Sequence, residues 1–191
     1  MQNSDKPKLE LIKAKEAIEE MKISKSLEEF EKYWIEFLHN LERTWSKIFD
    51  HFRKSPKWNG WQSKYVNLRK NDQLLCYLIN ARGAEEHTIN EITSKESSRI
   101  GISHAQGNNL FVNYMHITKN QIFIDSPQKI KIEHFPAKIK LLSVKNRGRV
   151  YPVPDEHLGQ KINNIDLIVL AQLAVKFYED LLNDANTFFV K

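Results

Sequence analysis

The feature that most constrains this chain is an apolar stripe that persists from Leu27 to Phe52. Leu27, Phe30, Trp34, Phe37, Leu38, Leu41, Trp45, Ile48 and Phe52 recur at intervals of three and four, the period of one helix face and not of a strand. Ahead of the stripe, Ser26-Leu27-Glu28-Glu29 has the form of a capping box, in which the serine hydroxyl accepts an orphan amide and the glutamate reaches back. Together they predict a helix of about seven turns that ends near residue 54. A helix so apolar along one side has to be covered, so the rest of the chain must supply a bundle.

Three other segments can do that. Residues 8–23 place Leu9, Ile12, Ala14, Ile18 and Met21 mostly three or four apart. Asn71-Asp72 offers a cap for a helix with Leu74, Leu75, Leu78, Ile79 and Ala81 that runs toward His87. Asn163 or Asn164 offers a cap for a last helix with Ile165, Ile168, Val169, Ala171, Leu173, Phe177, Tyr178, Leu181 and Leu182. Ser55-Pro56-Lys57-Trp58-Asn59-Gly60 breaks the long helix with loop chemistry, and a short helix follows to about residue 70. From about residue 100 the period becomes two. Leu110–Ile117, Gln121–Ile124, Lys129–Glu133, Lys138–Val144 and Arg149–Tyr151 read as short strands, with turns at Thr118-Lys119-Asn120 and Asn146-Arg147-Gly148. The expected fold class is α+β: a helical bundle with an antiparallel β-meander inserted before the last helix. The expected division is residues 1–99 for the first part of the bundle, 100–160 for the meander, and 161–191 for the returning helix.

Composition sets outer limits. The chain has 191 residues and a single cysteine, Cys76, which excludes a disulfide framework and fits a reducing, cytoplasmic setting. No 18-residue apolar run occurs and the first residues have no apolar signal core, so neither a membrane span nor a secretory leader is expected. Formal net charge is +5, concentrated in the middle of the chain, which permits a nucleic-acid partner without demanding one.

Several chemistries lack their residues. There is no Gly-rich phosphate loop, no His-Glu-x-x-His and no serine nucleophile elbow, so no cofactor and no metal site is expected. What stands out is Arg82-Gly83-Ala84-Glu85-Glu86-His87. RNA carries its own nucleophile, the 2′-hydroxyl beside each phosphate. Cleavage without metal needs a proton donor and acceptor near neutrality, which histidine supplies. It also needs a fixed cation for the phosphate charge, which arginine supplies. Residues five apart on an ideal helix lie about 140° apart, so Arg82 and His87 converge only if the helix ends or distorts between them. The plain alternative is an Arg82–Glu86 pair with His87 on the helix C-terminal dipole. A second copy, Arg99-Ile100-Gly101-Ile102-Ser103-His104, lies where the period turns to β and reads as the chance one.

The string Tyr77-Leu78-Ile79-Asn80-Ala81-Arg82-Gly83-Ala84-Glu85-Glu86-His87 resembles the Arg-polar-x3–5-His signature of the HEPN superfamily, among members whose motif helix ends in an Ala-Arg-Asn-Ala-Asp-Glu-His type of string. The likeness covers roughly residues 26–90, with the last helix as a further part. It implies a helical bundle, commonly a homodimer, acting as a metal-independent endoribonuclease in toxin–antitoxin or anti-phage systems, with RNA as substrate and an antitoxin or other partner protein. Arg82 and His87 would then be the catalytic pair, and Glu86 is assigned here as their orienting neighbour. Gly83 departs from the pattern, which has Asn, Asp or His at that position. The alternative is a non-catalytic module of the same type that binds nucleic acid or a protein.

Upstream, Arg53, Lys54, Lys57, Lys64, Arg69 and Lys70 occur with no acidic residue among them, and Trp58, Trp61 and Tyr65 are interleaved. Cations neutralise phosphates and rings stack on unpaired bases, so these nine residues are the expected RNA-binding set. The competing reading has the rings anchoring a loop to the helices while the lysines are solvated.

Overall fold

The computed structural model describes residues 5–87, 91–119 and 121–190, the side chains of Glu86 and His87 excepted. Five helices appear: α1 (Asp5–Ile23), α2 (Leu27–Phe52), α3 (Trp58–Asn71), α4 (Gln73–His87) and α5 (Leu167–Phe189). Between α4 and α5 lie short strands that, among the described residues, join two by two. The chain is therefore α+β, as expected, and divides into two compact units. One comprises the residues up to Ser94 and from Ile139 on, and the other is Lys95–Lys138.

In the helical unit α1 lies along α2 and also touches α5, while α2 packs on α4 and α5. The stripe on α2 is its buried side: Trp34, Phe37, Ile48 and Phe52 are fully covered. Ser26 caps α2 by accepting from the Glu29 amide, and the Glu29 carboxylate accepts from the amide of Lys25 at 2.7 Å. At the other end of the chain the cap differs from expectation. Asp166, not Asn163 or Asn164, starts α5, accepting from the amides of Ile168 and Val169. Its carboxylate reaches both orphan donors from the position directly before Leu167, and Ile165 stays outside the helix, exposed.

The strands do not form a meander. They are β1 (Thr93–Glu96), β2 (Arg99–His104), β3 (Tyr114–Ile117), β4 (Ile122–Asp125), β5 (Ile130–Phe135) and β6 (Lys138–Leu141), followed by β7 (Val144–Asn146), β8 (Arg149–Tyr151), β9 (Glu156–His157) and β10 (Gln160–Lys161). A meander pairs each strand with the next. Here β1 pairs with β6, β2 with β5 and β3 with β4, one nested inside another. The second unit is thus a two-stranded ribbon doubling back at β3–β4. Its register sets Ile100 opposite His134, Ile102 opposite Ile132 and His104 opposite Ile130. The expected division at residues 100 and 160 also shifts. Residues 139–161 belong to the helical unit, because they are tied to α4 and its cap: the Tyr77 hydroxyl donates to the Leu142 carbonyl at 2.7 Å, and His157 meets Asp72 at 2.9 Å.

Candidate functional site

Helix α4 is positioned by its apolar face. Leu74, Leu75, Leu78, Ala81 and Ala84 are buried at the spacing of one helix side. Asp72 caps it, accepting from the Leu75 amide at 2.9 Å and, with its other oxygen, from the Leu158 amide at 2.6 Å. Burial works against the charge on Asp72, but hydrogen bonds from His157 and those two amides outweigh it and hold the carboxyl below its ordinary value.

This packing leaves Arg82 half-buried with its Nε covered. Beside it, His39 from α2 reaches across to Glu85, Nε2 to Oε2 at 3.1 Å. Neither residue was singled out by sequence, since 46 positions separate them. A third element enters from β7. Asn146 is buried, and its Nδ2 donates to Asn80 Oδ1 at 3.1 Å. A Cβ on Gly83 would stand 2.7 Å from that same nitrogen. Gly83 is therefore the point of close approach between α4 and the β7–β8 hairpin.

The helix does not end between Arg82 and His87. It runs unbroken to His87, so no helix end between them brings the pair together. Residues five apart on such a helix are rotated by about 140°. The side chains of Glu86 and His87, and residues 88–90, lie outside the described residues. The second copy of the pattern spans β2, from Arg99 to His104. There the Arg99 guanidinium stacks on Phe135 and His104 Nδ1 accepts from the Gln106 amide.

The upstream segment is corrected in part. Trp58, Trp61 and Tyr65 are buried, so their faces meet the core and not bases. Trp61 packs on Phe189 with ring centroids 5.2 Å apart, and Trp61 Nε1 and the Tyr65 hydroxyl both donate to Asp184 at 2.7 Å. Burial and the neighbouring carboxylates push the Tyr65 hydroxyl far up. Arg69 is buried as well, paired with Glu42, bonded to the Tyr178 hydroxyl and stacked over Trp45. Burial opposes its charge, but Tyr178 and Glu42 hold it above its ordinary value. Arg53, Lys54, Lys57, Lys64 and Lys70 remain exposed. The spacing 58, 61, 65 was itself a core stripe, readable as such.

Comparison with protein-family models, with curated proteins and with solved structures gives no match. Among the described residues no helix is long and apolar enough to cross a membrane.

Proposed function

We propose that this chain is a metal-independent endoribonuclease of the HEPN type. The observation that carries the reading is the placement of the motif: the Arg82–His87 string closes a helix packed inside an α-helical unit, with Arg82 half-buried. His87 takes the proton of the 2′-hydroxyl or gives one to the leaving 5′-oxygen, and Arg82 holds the charge of the pentacoordinate phosphate. The oxygen attacks phosphorus as the bond to the 5′-oxygen breaks, which leaves a 2′,3′-cyclic phosphate and a 5′-hydroxyl. On the family resemblance, a second copy of the chain completes the site, with the two motifs facing one another. A partner protein or antitoxin would act by covering that cleft.

The test is RNA cleavage in EDTA by the purified chain. His87→Ala should lose activity by about 10²–10⁴ while melting unchanged, and His104→Ala should stay within a few-fold. Activity that needs added Mg²⁺ or Mn²⁺ would sink the mechanism. The second reading, a non-catalytic module binding nucleic acid or protein, is favoured by the same unbroken helix. It wins if the wild type and His87→Ala are equally inert.

A further inference from the structure

A groove of about 760 Å³ lies where α2, α3, α4 and the β7–β8 hairpin meet. Arg69, Lys70, Arg147 and Arg149 line it, and Glu42 is the carboxylate among its walls. That carboxylate is already paired with Arg69. Lys70, Arg147 and Arg149 are exposed, and none has a carboxylate within ion-pair distance among the described residues. Unneutralised cations gathered around a concave wall focus a positive potential into it.

The hairpin carries a second, independent sign. Arg147 and Gly148 take φ of 47° and 76°, the turn with both central residues left-handed. Asn or Gly suits the first of those places, and a long L side chain is sterically penalised there. A strained arginine is kept at the lip of the groove where asparagine would fold more easily, and strain of this kind gathers at ligand contacts. The hairpin is also fixed in place. Asn146, one residue before Arg147, is buried, bonded to Asn80 and seated over Gly83. Cys76, Ile79 and Asn80 of α4 form the floor, so the groove runs along the same helix that carries Arg82 two residues further on.

We infer that this groove binds the phosphate backbone of single-stranded RNA, with Arg147 and Arg149 as its contacts, and so delivers the strand toward the end of α4. The choice of RNA rests on the ribonuclease reading. The cationic groove itself does not. Half-buried Tyr151 on the wall offers a ring against which a base can stack.

The test is anisotropy of a fluorescein-labelled single-stranded RNA on the His87→Ala background, so that binding is read without cleavage. Arg147→Ala/Arg149→Ala should weaken binding by roughly tenfold or more. It should also flatten the slope of log K against log salt by about 1.4, since two phosphate contacts are lost. The charge-matched control Lys22→Ala/Lys176→Ala should leave the slope alone. Arg147→Gly separates binding from folding: it relieves the left-handed turn, so the chain should melt no lower while RNA affinity falls. Unchanged affinity and slope in both arginine variants would overturn the inference. So would a mononucleotide that binds as tightly as the RNA strand. If the groove variants lose RNA while the wild type cuts nothing, the catalytic reading fails and this one stands.

Discussion

The helical unit and the ribbon use similar apolar residues to opposite effect. In the helical unit Phe52 is fully covered and stacks on Phe189 at 4.7 Å. In the ribbon Phe123 is 60% exposed, and Ile100, Tyr114 and Ile132 are half exposed or more. A helix face at period 3.6 finds cover in other helices, and several are available here. A two-stranded ribbon has two faces, and within its own unit no second layer lies on either among the described residues. Isolated two-stranded pairs are marginal in water. Hydrophobicity therefore tells which residues seek burial, and the number of layers decides which obtain it.

The sharpest way to break this comparison is to truncate one phenylalanine from each unit. Phe52→Ala should cost about 3–5 kcal/mol. At roughly 2–4 °C per kcal/mol for a chain of this size, the helical CD signal should melt about 10 °C lower. Phe123→Ala should stay within about 0.5 kcal/mol, as exposed substitutions do. Comparable losses from the two would mean that the ribbon melts as part of the same cooperative core.

What could be read from sequence follows the same divide. The stripe on α2 and its Ser26 cap were legible because helix periodicity and capping are local. The nested strand pairing was not, since alternation shows that Ile130–Phe135 is a strand without showing that its partner is Arg99–His104. That partner was missed because it carries only two apolar residues, Ile100 and Ile102, and Gly101 between them has poor strand propensity. The α+β class was legible, the meander was not, and the family likeness rests on one string that the structure leaves as a proposal. At the candidate site, α4 and its motif could be read. Asn146 over Gly83, Glu85 against His39 and the arginines of the β7–β8 hairpin depend on contacts that bridge from 46 to more than 60 positions.

A smaller effect sharpens the account of the helical unit. Asp72 joins α4 to the segment before α5 through His157 and Leu158. Asp72→Asn removes its charge and weakens all three hydrogen bonds, for an expected loss of about 1–3 kcal/mol at pH 7. The pH dependence has a definite sign. The folded-state pKa lies below the unfolded one, so its stabilisation is complete above the unfolded value of about 3.9 and disappears as pH falls through the folded value. Melting of wild type and variant should converge on acidification below about pH 4. A gap that stays constant down to pH 2 would show that the carboxylate's charge contributes nothing.

The smallest expected effect is the most discriminating, because two forces of similar size oppose one another. Gly83 sits inside α4, where alanine is intrinsically better by about 0.8–1.0 kcal/mol. Its added methyl would, however, stand 2.7 Å from Asn146 Nδ2, inside contact distance. Asn146 is buried and holds Asn80, so it can yield only by giving up that bond. A buried amide left unpaired costs about 1–3 kcal/mol. Steric displacement should therefore win, and Gly83→Ala should lower stability by about 1 kcal/mol. The sign should reverse once the obstacle is gone: Gly83→Ala added to Asn146→Ala should raise stability by most of the helix-propensity gain. That reversal is a double-mutant coupling that only direct contact produces. If Gly83→Ala stabilises the chain in both backgrounds, the hairpin is not seated on α4 through Asn146, and the rigid presentation of Arg147 and Arg149 loses its support.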